Sequence, residues 1–361
     1  MRTLSAFTLT LLALSAQAAG TGGNSYTVAN LAADTSGTAP NVDALLINPF
    51  GLSRPPETWI PDADWWAANN ATGTSTLYNA SGAVIPLTVT VPPASGTSTG
   101  SPTGTVDFNN NFVFVTLDGT ISVWYSDKLK KTAAIPASMF NPAVHAKSAR
   151  VCSDCHVTTA EIVVNNAKAS YSGATLVWQG FKQVLLVANS NSPTIEAYDS
   201  SFKPVTLAAG AFTDPKIPSG FTPNNIQTAG GVVWVAYSNS TPTGGYVDGY
   251  GPNGKLLVRL QSGNWINDPW GIALAPSNFG KFSNALLVGS TEAGTISAFN
   301  RLTGAHLGNL QDGKGHDLNL SGLWALSFGT GNPYNGPANV LYFTTGTANF
   351  LHGIFGSISA N

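Results

Sequence analysis

Apolar residues recur along the chain in a unit made of a short apolar strand, a turn, and a second strand that ends in an aromatic residue. Six copies begin near positions 65, 112, 184, 232, 285 and 340, and consecutive copies are 47 to 55 residues apart except for one interval of 72 residues. A turn followed by an additional apolar strand precedes several copies, at Asn48–Ser53, Asp268–Ala273 and Gly322–Ser327. Each unit is therefore predicted to form about four short strands.

A period near 50 residues with about four strands per unit is typical of a β-propeller, in which stacked sheets bury their faces against one another. We predict an all-β, six-bladed β-propeller over residues 19–361, with the strand at Tyr26–Leu31 pairing with the last blade to close the ring. Gly119 and Gly294, in the turns of two units, are expected to have positive φ. Two β-sandwiches are the alternative, which the near-constant spacing disfavours.

The N-terminal residues have the three parts of a secretory signal. Arg2 precedes an apolar run over Leu4–Leu14, and Ala16–Ala18 is a small-x-small cleavage site, so residues 1–18 are predicted to be removed. We therefore expect an extracytoplasmic protein, periplasmic or secreted, with no integral membrane segment after cleavage. We also expect it to be a monomer.

Composition agrees with many short strands and excludes some partners. Charged residues make up only 9% of the 361 residues, which include 38 Gly and 22 Pro. The net charge of -2 predicts no binding to nucleic acid or to an anionic membrane. The nine tryptophans are interpreted as blade packing, although Trp59, Trp65 and Trp66 lie close enough in sequence to leave a carbohydrate platform open.

Several phrases stand in an order that resembles a family of secreted bacterial propeller proteins of unknown function, related to the NHL class. The resemblance covers nearly all of the mature chain and implies export and a propeller fold, but no activity. Some members of the family carry a C-terminal sorting tail. The residues that lead up to Asn361 do not resemble such a tail, so sorting by that route is not expected. The phrases are at Asn48–Leu52, Phe212–Pro215, Asn225–Gln227, Pro269–Pro276, Phe282–Gly289, Gly322–Leu326 and His352–Gly356.

The 72-residue interval contains an expected insertion at about residues 127–156, which departs from the family pattern. It holds both cysteines of the chain, in Cys152-Ser153-Asp154-Cys155-His156. Cys-x-x-Cys-His is the attachment pattern for c-type haem, in which two thiols form thioethers and the adjacent histidine is the proximal iron ligand. A disulfide or free thiols, and a zinc or other metal site that includes His145, remain alternatives.

The second axial position of a haem iron has two candidates in the same insertion. His145, seven residues before Cys152, is the first candidate, and Met139 is the second. A histidine ligand predicts a lower reduction potential than a methionine ligand. A loop residue for His145 and apolar packing for Met139 are the structural alternatives.

The predicted function is an exported propeller that holds one haem c for electron transfer or redox sensing, with a redox protein or a surface polymer as its partner. No nucleophile elbow, zinc helix or phosphate-binding loop is present in the sequence, so we do not expect an enzyme. Two alternatives stay open. One is a binding or scaffold propeller without haem, and the other is a metal-dependent hydrolase or lyase.

Overall fold

The computed structural model describes residues 22–55, 64–108, 111–125, 156–239, 241 and 244–361. These residues form six sheets with almost no helix, which confirms the predicted six-bladed β-propeller. No helix among them is long and apolar enough to cross a membrane. The expected signal peptide lies outside the described residues.

The chain begins with two strands that belong to the last blade and then forms the first two blades. The first strands are β1 (Tyr26–Ala33) and β2 (Asn41–Val42). Blade one comprises β3 (Pro49–Ser53), β4 (Trp65–Asn69), β5 (Thr74–Tyr78) and β6 (Val84–Thr90). Blade two comprises β7 (Pro102–Phe108), β8 (Asn111–Thr116), β9 (Thr120–Tyr125) and β11 (Glu161–Asn165), while β10 (His156–Thr159) joins the edge of blade one.

The remaining four blades follow in chain order. Blade three has three strands, β12 (Tyr171–Gln179), β13 (Lys182–Asn189) and β14 (Thr194–Tyr198). Blade four comprises β15 (Thr222–Ala229), β16 (Val232–Ser238), β17 (Tyr246–Tyr250) and β18 (Leu256–Arg259). Blade five comprises β19 (Pro269–Leu274), β20 (Leu286–Ser290), β21 (Ile296–Phe299) and β22 (His306–Asn309). Blade six comprises β23 (Leu323–Phe328), β24 (Val340–Thr345) and β25 (Ile354–Ala360), with β1 and β2 at its outer edge.

The first strand of each blade lines the axis of the ring. β3, β7, β12, β15, β19 and β23 each contact the next in this order, and β23 contacts β3. Glycines allow this close approach, because a Cβ at Gly51 would collide with the carbonyl of Thr103 and one at Gly271 with the carbonyl of Trp324. We call the end where these inner strands begin the upper face. The turns between the second and third strands lie at the same end.

The ring is closed as the sequence predicted, by pairing of the N-terminal strand with the last blade. β1 pairs antiparallel with β25, from Tyr26 opposite Ala360 to Ala33 opposite Ile354. The N-terminal strand thus covers the outer edge of the C-terminal strand, and β2 pairs in turn with Ala32 and Ala33 of β1. Gly119 and Gly294 have φ of 80° and 65°, as expected for tight turns.

Alternating apolar side chains fill the boundaries between blades and make the core. At the boundary of blades five and six, for example, Leu287 and Phe343 are fully buried in one cluster. Trp65 and Trp66 are also buried, at 0% and 4% exposure, which confirms blade packing and removes these two residues from a surface platform. Trp59 lies outside the described residues.

Candidate functional site

The last residue of the Cys-x-x-Cys-His motif lies at the outer edge of the propeller, where blades one and two meet. β9 ends at Tyr125, and the described chain resumes at His156, the first residue of β10. Cys152 and Cys155, together with the expected distal ligands His145 and Met139, lie outside the described residues. The motif therefore ends on the first residue of a strand.

The strand that begins at His156 is held by the edges of two blades in succession. β10 runs parallel to β6, with His156 opposite Leu87 and Thr159 opposite Thr90. After Ala160 the chain continues as β11, which pairs antiparallel with β9 of blade two. One short stretch thus bridges two blades, and its backbone fixes the C-terminal end of the motif to the wheel.

An aromatic stack lies behind this stretch at the boundary of blades one and two. The rings of Trp66 and Phe112 are stacked with centroids 3.7 Å apart, and the ring of Trp124 lies 5.1 Å from that of Trp66. All three are buried. Trp124 Nε1 donates a hydrogen bond of 2.9 Å to Thr158 Oγ1, two residues after His156. The stack therefore connects the motif's strand to the apolar core.

The upper end of the axis is closed by three aromatic side chains from inner strands. Phe50 stacks on Trp324 with centroids 3.6 Å apart, and Trp270 meets both edge-on at about 6 Å. Trp270 Nε1 donates to the carbonyl of Ser172 in blade three, and Trp324 Nε1 donates to Asn48 Oδ1. These contacts cross the axis, so this part of the channel is a packed core.

One half-buried carboxyl, that of Asp268, directly precedes the inner strand that carries Trp270. Asp268 has a positive φ of 48°, and its Oδ1 accepts a hydrogen bond from Asn224 Nδ2 at 3.1 Å. Burial, with a smaller contribution from the charge of Glu292, raises the pKa of Asp268. Among the described residues, no group of three or more His, Cys, Asp or Glu side chains is placed to hold a metal ion.

A second acidic cluster lies at the boundary of blades three and four. Both carboxylate oxygens of Asp214 accept hydrogen bonds from Arg259, one from Nε and one from Nη2. Tyr250 donates to Asp248 Oδ2 at 3.4 Å, and the hydroxyls of Tyr237 and Tyr250 lie 2.7 Å apart. Asp248 is 2% exposed and Asp214 is 8% exposed. The two carboxyls are therefore buried, while the Arg259 side chain that pairs with Asp214 is 40% exposed.

The two carboxyls of this network titrate in opposite directions. Burial, and then the charge of Asp214 and the hydrogen bond with it, raise the pKa of Asp248 to about 7. The hydrogen bonds from Arg259 lower the pKa of Asp214. Asp248 is consequently the carboxyl that holds a proton below neutral pH, with Asp214 as the charged partner of Arg259.

The sequence analysis did not identify the pairing of Asp214 with Asp248. The sequence signal that could have found this network is an acidic residue two positions before the aromatic residue that ends the third strand of a blade. Asp248 is at this position before Tyr250, and Glu196 is at this position before Tyr198 in blade three. Glu196 there accepts hydrogen bonds from Tyr198, from Tyr171 and from Asn189. In both blades an acid at this position thus accepts hydrogen bonds from tyrosine hydroxyls, although Glu196 is only half-buried.

The three histidines of the later blades each contact another side chain. His306 is stacked on Trp265 with centroids 4.3 Å apart, and His316 lies 3.4 Å from Asp312. His352 Nδ1 lies 2.6 Å from Asp34 Oδ2. Each of these histidines therefore has a side-chain contact that gives it a structural role in a turn or at the end of a strand.

No family model matches this chain. An uncharacterised protein of Acanthamoeba polyphaga mimivirus is 26% identical over 344 residues, covering 91% of this chain and 78% of that protein. A second uncharacterised protein of the same virus is 24% identical over 336 residues, covering 89% and 82%. The likeness therefore extends along most of this chain, while membership of a bacterial secreted family stays a prediction.

Solved structures with the same architecture are distant in sequence. A streptogramin B lyase superposes with a TM-score of 0.52 at 10% identity, covering 93% of this chain and 98% of that one. The PQQ-bound aldose sugar dehydrogenase of Streptomyces coelicolor gives a TM-score of 0.51 at 12% identity, covering 94% and 100%. At these identities the likeness shows the propeller fold alone.

Proposed function

We propose that this chain is an exported β-propeller that carries one covalent haem c at the rim between blades one and two and exchanges electrons with a partner protein. The observation that carries the proposal is the Cys152-x-x-Cys155-His156 motif, which ends on the first residue of a strand paired with blade one. A group joined to these thiols would be tethered directly to the wheel.

The residues of the motif have the chemistry that haem attachment needs. Cys152 and Cys155 would form the thioethers, and His156 would supply the proximal nitrogen ligand. A bound haem would supply reversible one-electron chemistry. His145 is the first candidate for the second axial ligand and Met139 is the other, and the two differ in the reduction potential that they would set.

The propeller would contribute a rigid, apolar support for the C-terminal end of the motif. The strand after His156 is paired with β6, and the hydrogen bond from Trp124 to Thr158 joins it to the stacked rings of Trp66 and Phe112. Because the C-terminal end of the motif is held in place, an attached haem would have few orientations available. A fixed orientation would favour electron exchange with a docked partner. Basic residues that precede the motif in sequence, Lys147 and Arg150 among them, would suit an acidic partner surface.

Covalent attachment is tested by expressing the exported chain in a host with c-type haem attachment machinery. We expect a Soret band that remains with the protein after acid-acetone extraction, because thioether bonds survive that treatment. Cys152→Ser combined with Cys155→Ser should remove the band, since no thiol remains to bind the porphyrin.

A matched control separates attachment from general damage. His316→Ala changes a histidine that is 75% exposed and far from the motif in sequence, so it should leave the band unchanged. A wild-type protein that is colourless, or that loses its colour on extraction, would refute the proposal. Retention of the band in the double cysteine variant would do so as well.

A further inference from the structure

A cavity of about 580 Å³ opens on the upper face between blades five and six. One wall is blade six, and the other is the loop that leads into it from blade five. Its size lies within the range of small-molecule sites in proteins. The apolar residues that line it are Val28, Leu318, Leu320, Phe343 and Ile354. The polar residues that line it are Asn30, Asp312, Asp317, Asn319, Ser321, Thr345 and Thr347.

Both carboxylates of the cavity already accept hydrogen bonds from this chain, and the ring of His316 also lies 3.4 Å from Asp312. Asp317 accepts hydrogen bonds from Asn309 Nδ2 and Gln311 Nε2, at 2.6 and 3.1 Å. Asp312 accepts hydrogen bonds from the backbone N–H groups of Lys314 and His316. No lysine or arginine lines the cavity within the described ranges. Its charge therefore disfavours an anionic ligand.

The hydroxyl of Thr345 is a second observation, independent of the carboxylates, that bears on what the cavity binds. This residue lines the cavity, is only 2% exposed, and has a hydroxyl without a hydrogen-bond partner. A buried hydroxyl that makes no hydrogen bond destabilises a fold, because it has lost its water without replacement. A ligand with hydroxyl groups would offer the missing partner.

The turn beside the cavity is strained. Ala348, Asn349 and Phe350 all have left-handed backbone angles, with φ of 50°, 56° and 65°. Thr347, which precedes them, lines the cavity, and Phe350 packs against Trp324 of the axial plug. Such strain persists only where the surroundings hold it, and it is concentrated at binding sites.

We propose that this cavity binds a saccharide unit without negative charge. Sugar hydroxyls would donate to Asp312 and Asp317 and pair with Thr345, while the apolar C–H face of the ring would pack on the half-buried side chains of Leu320 and Ile354. The site is at a different boundary from the Cys-x-x-Cys-His motif, and its occupation does not depend on haem.

Calorimetric titration with glucose, N-acetylglucosamine, glucosamine and glucuronate tests the assignment. We expect saturable binding of at least one of the first three sugars and none of glucuronate. Asp317→Asn should weaken that binding about tenfold or more, because a hydrogen bond to a charged group is lost. Thr345→Val should weaken it about two- to tenfold while leaving the melting temperature equal or higher.

Thr291→Val is the matched control, since Thr291 also has a buried hydroxyl without a partner but does not line the cavity. It should leave sugar binding unchanged, and the Cys152→Ser and Cys155→Ser double variant should bind sugar as the wild type does. Absence of binding by all the uncharged and cationic sugars at millimolar concentration would overturn the proposal. Equal binding of glucuronate, or equal losses in the Thr345 and Thr291 variants, would also overturn it.

Discussion

Two boundaries between blades of the propeller are built from the same repeat but differ in the chemistry of their buried side chains. Between blades one and two, the interface is an aromatic stack of Trp66, Phe112 and Trp124. Between blades three and four, the apolar cluster surrounds two tyrosine hydroxyls that lead to the paired carboxyls of Asp214 and Asp248. The first boundary is stabilised by packing, and the second depends on the protonation of its acids.

A single repeat position accounts for much of this difference. The residue two places before the aromatic at the end of the third strand is Ser122 in blade two and Asp248 in blade four. A neutral hydroxyl leaves the first boundary insensitive to pH over the range in which Asp248 titrates.

The largest expected effect comes from opening the aromatic boundary. Trp66→Ala should lower the free energy of unfolding by about 3–5 kcal/mol, because it removes a buried ring and leaves a cavity beside Phe112 and Trp124. Urea unfolding at two pH values, 5 and 8, measures this loss and should give the same difference at both.

The control for that prediction is Trp178→Ala, which removes an indole that is 62% exposed at a hairpin in blade three. It should change the free energy of unfolding by less than about 0.5 kcal/mol. A loss in the Trp66 variant no larger than in the Trp178 variant would contradict the structural role given to the stack.

The second expected effect, smaller than the first over any single pH unit, is the pH dependence of the acidic boundary. The pKa of Asp248 is about 7 in the folded protein and near 4 in an unfolded chain, so the folded state binds the extra proton between these values. This stabilisation is complete below about pH 4 and is lost as the pH rises through 7, at up to about 1.4 kcal/mol per pH unit for one proton. Asp248→Asn cannot ionise and should flatten this decline.

Asp199→Asn is the matched control for the titration. The pKa of Asp199 is lowered by backbone N–H groups, which is the opposite direction, and the residue lies at the surface. Its variant should keep the decline in stability between pH 4 and 7. If the wild type and the Asp248 variant showed equal slopes by urea unfolding across that range, Asp248 would not be the titrating group.

The sequence predicted the repeat because each blade carries its own local pattern. Strand pairs such as Trp65–Asn69 with Thr74–Tyr78 are adjacent in the chain, and closure by β1 follows from one strand left over before the first unit. Blade three has only three strands where four were expected.

The contacts between distant residues could not be predicted in this way. Asp214 lies in the connection between blades three and four, 34 positions before Asp248, and no periodicity relates the two. The hydrogen bond of Trp270 to Ser172 joins blades five and three across the axis. Such contacts depend on the radius and closure of the ring, which the local pattern does not specify.

The most direct test of the central claim is the mass of one tryptic peptide from protein expressed with haem attachment machinery. Trypsin cleaves after Arg150 and Lys168, so the peptide Val151–Lys168 contains both cysteines and His156 and no other site of cleavage. We predict that this peptide carries the added mass of one haem. A peptide with two free thiols, or one lighter by two hydrogens through a Cys152–Cys155 disulfide, would contradict the account.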